Sequence, residues 1–291
     1  MNLEFNTSLI KGYKSTSQIA RVLTEDWFAR NMYCPICGEE SIQRAEPNAP
    51  VKDYVCERCK SQYELKSKNT SSDDFQSKVA DGVYKTMIQR ITSLDNPSFF
   101  FLHYDNYKVN NLIIVPKCFF TPAVIDKRKA LSNNARRAGW EGCNIIMKNI
   151  PSTAKIPIVI NGKSVSKDIV VTQYNKVFTL QTKSVESRGW IMDILNLVER
   201  MNESFSLNQI YSFADELKLK HPYNNHIKDK IRQQLQVLRD KGFLEFLGNG
   251  NYKKSRIKRK FQARICDKLL TCCLGSIIYT NILRTKEFTT F

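Results

Sequence analysis

The chain has 291 residues, 42% of them hydrophobic, which suffices for real hydrophobic cores in about two domains. Its 45 Lys and Arg against 28 Asp and Glu give a formal net charge of +17. This excess predicts a polyanionic partner and favours nucleic acid over an acidic membrane surface. Met1 is not followed by a basic segment and an apolar run, and no long transmembrane segment is evident, so the sequence argues against secretion and predicts a reducing cytoplasm.

The first predicted element is a helix over residues 15–30. Its apolar residues recur at helical spacing and include Leu23, Trp27 and Phe28. We expect one face of this helix to pack on a sheet.

Four cysteines follow as two C-x2-C pairs separated by 18 residues, Cys34 with Cys37 and Cys56 with Cys59. This spacing is typical of a structural zinc site, because two residues between thiolates let one turn present both sulfurs to a tetrahedral ion. Two disulfides would need an oxidising compartment, and a redox motif would need only one pair. The pattern therefore predicts Zn2+ bound by four thiolates.

Asp53, Glu64 and Lys66 have the spacing Asp-x10-Glu-x-Lys. A strand over residues 63–67 would place Glu64 and Lys66 on one face, and Asp53 could converge on that face from the preceding strand of a hairpin. The second cysteine pair would then form the turn between these strands. Two carboxylates can bind Mg2+, while a neighbouring ammonium orients water or offsets phosphorane charge. This is the core of the P-D-(D/E)-x-K nucleases; the alternative is a solvated strand with alternating charges.

The middle of the chain predicts a mixed α/β fold. A polar loop over residues 68–74 precedes a helix over residues 76–91, and two strands over 97–104 and 109–116 follow. Both strands contain continuous apolar runs, which are typical of strands covered on both faces by helices.

Residues 130–144 form an irregular stretch that contains Arg136, Arg137 and Trp140. Arginine can bind guanine or phosphate, and an indole face offers an apolar contact for a methyl group or a base. This composition is typical of a DNA-contacting loop. The alternative is that Trp140 fills the core while the arginines are solvated.

Residues 184–254 predict a winged helix. Helical apolar spacing over residues 187–198 is followed by a helix capped by Ser206, by a third helix that Asn225 caps and Gly242 ends, and by a hairpin. The third helix of such a fold enters the major groove with its N-terminal residues nearest the bases. A winged helix that binds protein is the alternative. The candidate DNA-binding residues are Asn224, Asn225, His226, Lys228 and Arg232.

The tail, residues 255–291, begins with a basic run over residues 256–260 and shows no convincing helical cap or period. It carries eight basic and two acidic residues, which leaves a surplus of eleven positive charges on residues 1–254. Its apolar stretch of about 11 residues is too short for a bilayer, which needs about 20. We assign this extension no function.

The chain resembles the DpnI restriction endonucleases over residues 1–254. The resemblance lies in residues 23–27, 33–35, 64–68, 135–140, 187–190 and 224–228. It implies a P-D-(D/E)-x-K nuclease domain over residues 1–183, with the inserted four-cysteine site, and a winged-helix domain over residues 184–254. It also implies Mg-dependent cleavage of double-stranded DNA at GATC when the adenine is methylated, with both domains sensing the methyl group. Carried over to this sequence, the catalytic set is Asp53, Glu64 and Lys66, although Pro50 stands three residues before Asp53 rather than directly before it.

Two other functions stay open. A transcription regulator or methyl-DNA reader would bind through the zinc site and winged helix without cutting, but it would not need Asp, Glu and Lys on one strand pair. A nuclease that prefers unmethylated sites would have the same residue types. We expect the protein to act as a monomer on DNA and not on a membrane.

Overall fold

A computed structural model describes residues 1–46, 52–72, 75, 78–93, 95–182 and 184–255. The basic run predicted at residues 256–260, and the tail after it, lie outside the described residues. None of the helices in the described ranges combines the length and the apolarity that crossing a bilayer requires.

The described residues of the N-terminal part, up to residue 182, form three α-helices and ten strands. The helices are α1 (Thr16–Asn31), α2 (Tyr84–Thr92) and α3 (Lys167–Phe178). The strands are β1 (Gln43–Arg44), β2 (Tyr54–Val55), β3 (Gln62–Asn69), β4 (Lys78–Val83), β5 (Ser98–Asp105), β6 (Lys108–Val115), β7 (Ile125–Lys127), β8 (Gly142–Ile146), β9 (Ile156–Ile160) and β10 (Lys163–Ser164).

Seven of these strands form one sheet in the order β1-β2-β3-β5-β6-β9-β10. Strands β3 and β5 are parallel, and the other neighbours are antiparallel. The apolar runs of β5 and β6 are buried, as their composition predicts. Helix α1 covers this sheet, with the Phe28 ring 4.8 Å from the Phe100 ring in an edge-on contact. Its Trp27 is buried and donates through Nε1 to the Asn2 carbonyl at 2.7 Å.

A second, three-stranded sheet has the order β4-β8-β7. Strands β7 and β8 form a hairpin whose connection runs over residues 128–141, the stretch that contains Trp140. Strand β4 pairs antiparallel with β8, and Asp81 lies opposite Cys143. This sheet therefore places the Trp140 loop next to Asp81.

The predicted helix over residues 76–91 is wrong in its first half. Residues 78–83 form strand β4, and the helix begins only at Tyr84, while residues 76 and 77 lie outside the described ranges. In β4 the half-buried Val79 and Asp81 alternate with the exposed Lys78 and Ala80, which is the period of a strand. Gly82 disfavours a helix at this point by about 1 kcal/mol relative to alanine.

The C-terminal part, residues 184–255, is a winged helix. Its helices are α4 (Val185–Arg200), α5 (Leu207–Tyr211), α6 (Ala214–Lys220) and α7 (Ile227–Asp240). Its strands β11 (Ser204–Ser206), β12 (Leu244–Gly248) and β13 (Asn251–Lys254) form an antiparallel sheet in the order β11-β13-β12. Ile231, Leu235 and Leu238 bury the apolar face of α7.

Two details of the predicted winged helix differ in the structure. The helix that Ser206 caps divides into α5 and α6, because the chain leaves helical hydrogen bonding at Ser212 and Phe213. The cap of α7 is His226 rather than Asn225, and the Asn224 Oδ1 accepts the His226 amide at 2.7 Å instead. Gly242 ends this helix region with a positive φ of 68°, as expected.

Helix α4 joins the two parts of the chain. Near its C-terminal end, the Glu199 carboxylate accepts the Ser152 amide at 2.8 Å and the Thr153 amide and hydroxyl at 2.7 and 2.6 Å. In its first turns, Arg188 Nη2 donates to the Ile91 carbonyl at 3.2 Å. The winged helix is thus held against the N-terminal part at both ends of α4.

Candidate functional site

Strand β3 brings Glu64 and Lys66 together as predicted. Residues two apart in a strand share a face, and here Lys66 Nζ donates to Glu64 Oε1 at 2.5 Å. Glu64 is only 7% exposed. Both side chains therefore form a buried ion pair rather than a solvated row of charges.

Asp53 reaches the same place from the other arm of the hairpin. Its amide donates to the Tyr63 carbonyl at 2.9 Å, one residue before β2, and its Oδ2 accepts the Leu65 amide at 2.8 Å. Burial raises the pKa of Asp53, while the Leu65 amide and the Lys66 ammonium oppose this shift. The expected hairpin is present, and the cysteine pair Cys56–Cys59 forms its turn.

A third carboxylate, Asp81, belongs to this cluster and was not predicted. Lys66 Nζ donates to Asp81 Oδ1 at 2.7 Å, and the Asp81 side chain is only 8% exposed. Asp81 comes from β4, in the other sheet. The Gly82 amide also donates to its Oδ1, at 2.6 Å, which fixes the carboxylate. The sequence feature that could have indicated Asp81 is an Asp-Gly pair in a segment whose residues alternate as in a strand. The helix prediction obscured this feature.

The charges of this carboxylate–lysine cluster do not balance. Glu64 and Asp81 both contact one ammonium, that of Lys66, and Asp53 adds a third carboxylate that interacts electrostatically with the same lysine. Burial raises the pKa of Glu64 to about 7, against the attraction of Lys66 and with a further contribution from Asp81. Among the described residues, Glu64 Oε2 and Asp81 Oδ2 are buried and have no hydrogen-bond partner. Two unpartnered carboxylate oxygens beside an excess of negative charge fit a hard divalent cation.

The four predicted cysteines converge. Cys34 Sγ lies 3.5 Å from Cys59 Sγ, and Cys37 Sγ lies 3.6 Å from Cys56 Sγ. A tetrahedral ion with zinc–sulfur bonds of about 2.3 Å requires sulfurs about 3.8 Å apart. In the described part of the chain, this is the one group of three or more His, Cys, Asp or Glu ligands whose ligand atoms all lie within 4.8 Å of one another. Its geometry and thiolate donors fit zinc.

The two cysteine pairs have the same backbone. The Gly38 amide donates to the Cys34 carbonyl at 2.9 Å, and the Lys60 amide donates to the Cys56 carbonyl at 2.8 Å. Gly38 and Lys60 both have positive φ, of 74° and 57°. The tight turn at Gly38 thus recurs at Lys60, where a non-glycine residue carries the strain.

The Trp140 loop is a surface feature. Trp140 is half-buried, so it does not fill the core, and the Arg137 guanidinium lies 4.8 Å from its ring centroid. The ring lies over Gly142, where a Cβ would come within 2.5 Å of it. Arg136 and Arg137 are exposed. The structure therefore supports an indole held in place and presented near the surface, with basic side chains around it.

The start of α7 presents the predicted reading residues. Asn225, His226, Lys228 and Arg232 are exposed, while Asn224 is half-buried because its side chain caps the helix. Arg232 pairs with Asp229 at 2.7 Å, on the same helical face. Lys228 Nζ lies 5.5 Å from the Tyr211 ring. These side chains can be redirected toward bases or phosphates, since only surface contacts hold them.

A winged helix with exposed basic residues at the start of α7 is attached to a mixed α/β part with a buried carboxylate–lysine cluster and a four-cysteine cluster. Together these features define a DNA-binding protein with the features of a nuclease. The sequence model of the Dam-replacing family, DpnI, matches residues 1–183, and that of the Dam-replacing HTH domain matches residues 186–254. Because the first match covers more than half of the chain, the protein belongs to the DpnI, or Dam-replacing, family.

Proposed function

We propose that this protein is a type II restriction endonuclease that cleaves double-stranded DNA at GATC sites carrying methylated adenine. The observation that carries the proposal is the carboxylate–lysine cluster, in which Glu64 Oε2 and Asp81 Oδ2 are buried without partners. A DNA-binding protein that does not cut gains nothing from an unbalanced buried charge of this kind. Family membership supports both the activity and the methyl dependence.

The proposed active site has a P-D-(D/E)-x-K arrangement. Asp53 and Glu64 would bind Mg2+, and Asp81, which shares the Lys66 ammonium with Glu64, would add a third carboxylate beside Glu64. When bound, Mg2+ supplies Lewis-acid stabilisation of the charge that develops on phosphorus oxygens. Lys66 holds its ammonium between Glu64 and Asp81, where it can orient water or neutralise the developing charge.

Zinc at Cys34, Cys37, Cys56 and Cys59 has a structural role in this proposal. The second cysteine pair is the turn that connects β2 with β3, so the ion fixes the register between Asp53 and Glu64. Tyr63, one residue before Glu64, places its hydroxyl 3.0 Å from Cys34 Sγ. The zinc site would therefore position the catalytic carboxylates without contacting DNA.

Methyl recognition is assigned to two surfaces. Trp140 would face the methyl group, with Arg136 and Arg137 on phosphates or guanines, and the start of α7 would read the same mark. Burying one methyl carbon contributes only about 0.8 kcal/mol, or roughly fourfold in affinity. Strict discrimination therefore needs several such contacts, which two methyl groups in a palindromic site and two reading surfaces provide.

The domain bounds, the monomeric state and the cellular location also belong to the proposal. The nuclease domain spans residues 1–183 and the winged-helix domain residues 184–254, and the protein acts as a monomer in the cytoplasm. Sedimentation of the protein with a short methylated duplex, without Mg2+ so that the duplex stays intact, would measure the number of chains per DNA.

The test is plasmid cleavage with Mg2+, using methylated and unmethylated copies of one plasmid. The wild type should cut only the methylated copy. Glu64→Gln should not cut either copy but should bind the methylated duplex as the wild type does, while the exposed Glu4→Gln should behave as the wild type. A wild-type protein that binds methylated DNA without cutting would instead be a reader. Equal or preferred cutting of the unmethylated copy would refute the methyl dependence.

A further inference from the structure

A small cavity lined partly by polar side chains lies where α4 meets the N-terminal part, and it is separate from the carboxylate–lysine cluster. Its volume is about 200 Å³. It lies between the end of α2, the segment after β6 and the residues that precede α4. Its polar lining consists of Ser93, Asn96, Lys117, Gln181, Thr182 and Arg188.

Arg188 is the central residue of this cavity. It is only 5% exposed, and it donates one hydrogen bond, through Nη2 to the Ile91 carbonyl at 3.2 Å. Its Nε is buried and has no acceptor among the described residues. Burial lowers the pKa of Arg188, and the only group that opposes this shift is the Cys118 thiol. No carboxylate occurs among the described residues that line the cavity.

Two other buried charges in the described ranges, those of Lys66 and Glu199, have compensation that Arg188 lacks. Lys66 contacts two carboxylates, and Glu199 accepts two amides and a hydroxyl. Removing an arginine from water without an opposite charge costs several kcal/mol, and carbonyl contacts compensate only part of this. A second cation, Lys117, lines the same cavity and increases the positive potential there.

The cavity's size and donors indicate its occupant. At about 30 Å³ per water, 200 Å³ holds about six or seven waters, and it is below the roughly 300 Å³ at which sites for drug-sized molecules begin. A guanidinium binds oxyanions through two parallel hydrogen bonds, and an ammonium adds a point charge. We propose that this cavity binds one tetrahedral oxyanion of the phosphate class, held by Arg188 and Lys117.

The oxyanion would connect the two parts of the chain. It would lie between α4, which belongs to the winged helix, and Lys117, Ser93 and Asn96, which belong to the N-terminal part. The same chemistry could come from free phosphate or from a phosphate of bound DNA. This inference does not depend on the proposed nuclease activity, because it concerns a different group of residues.

The experiment uses the full chain without Mg2+ and titrates inorganic phosphate at constant ionic strength, followed by calorimetry and thermal unfolding. Wild-type protein should bind one phosphate and unfold at a higher temperature with phosphate than with chloride. Lys117→Gln and Arg188→Lys should each weaken phosphate binding at least tenfold. Lys163→Gln, an exposed lysine on β10, should bind phosphate as the wild type does.

A duplex oligonucleotide distinguishes the two sources. If DNA displaces the inorganic phosphate, and if Lys117→Gln lowers the salt dependence of DNA binding, the oxyanion in the cavity is a phosphate of the DNA backbone. If DNA and inorganic phosphate bind at the same time, the oxyanion is a free ion. If Arg188 variants fail to fold, Lys117→Gln still tests the proposal, because Lys117 lies at the more exposed edge of the cavity. Absence of phosphate binding by the wild type, or equal binding by Lys117→Gln and the wild type, would overturn the proposal.

Discussion

Replacing Asp81 with asparagine should separate catalysis from stability. Lys66 Nζ lies 2.5 Å from Glu64 Oε1 and 2.7 Å from Asp81 Oδ1, so these two carboxylate oxygens are at most about 5.2 Å apart. At an effective dielectric constant of 20, the Asp81–Lys66 attraction is about 6 kcal/mol and the Asp81–Glu64 repulsion is about 3 kcal/mol. The penalty for burying Asp81 is several kcal/mol more.

These contributions nearly cancel in the folded protein without metal. The variant also keeps the Glu64–Lys66 pair, so no lone buried charge remains. We therefore expect Asp81→Asn to change the free energy of unfolding by no more than about 1 kcal/mol, or about 2–4 °C in the unfolding temperature. A ligand carboxylate contributes several kcal/mol to catalysis by a bound metal, so cleavage should fall at least about 100-fold, which corresponds to about 2.7 kcal/mol.

The assay is single-turnover cleavage of methylated plasmid, with calorimetric titration of Ca2+ or Mg2+ as a second readout. The matched control is Asp126→Asn, in the same sheet, which removes an exposed ion pair with Lys78 at 2.6 Å and should leave both readouts unchanged. Cleavage within about threefold of the wild type would show that Asp81 is outside the metal site. A loss of more than about 3 kcal/mol of stability would show that it is a structural partner of Lys66.

Three further predictions concern other sites. Cys59→Ala should lower bound zinc from about one ion per chain and give poorly soluble, inactive protein, whereas Cys118→Ala, outside the cluster, should keep its zinc by metal analysis. Trp140→Ala should narrow the ratio of cleavage rates on methylated and unmethylated sites; an equal loss on both would mean that the indole only packs. Burial raises the pKa of Glu199, but hydrogen bonds from Thr153 and the Ser152 amide outweigh burial and lower the pKa overall. The stabilisation that Glu199 gives the folded protein is therefore present above about pH 4.3, and it is lost as the pH falls through the lower pKa of the folded state. Glu199→Gln should therefore cost about 2 kcal/mol in urea unfolding at pH 7 and much less near pH 3; a constant difference would contradict this.

The parts of the site that lie close together in sequence were predictable. Cys34 to Cys59 form a fixed spacing pattern, and Glu64 with Lys66 need only the period of a strand. Asp53 followed because the hairpin turn is itself the second cysteine pair. Local chain geometry determines each of these placements.

Asp81 could not be placed in the same way. It meets Lys66 because β4 pairs with β8, and its cross-strand neighbour Cys143 is more than 60 residues away in the chain. No local pattern specifies a pairing over that distance. The segment around Asp81 also continues directly into α2 at Tyr84, so helical spacing after it concealed the strand.

The position of Trp140 depended on a single small residue. The sequence left core packing and surface contact equally open, since the indole suits both. The structure places the ring over Gly142, where the missing side chain makes room for it at half-burial. Reading this from sequence would have required knowing that β8 begins at that glycine.

The pairing of β4 with β8 fixes the offset between the recognised base and the cut bond in the proposed complex. Asp81 in β4 belongs to the carboxylate–lysine cluster, and its neighbour Cys143 follows Trp140 by only three residues. Paired residues in adjacent strands have Cβ atoms about 5 Å apart. Backbone hydrogen bonds within one sheet therefore set the distance between Asp81 and the chain segment that follows Trp140. In the proposed complex, the cleavage position would therefore be a property of the N-terminal part alone, and the winged helix would contribute affinity and selectivity without choosing which bond breaks.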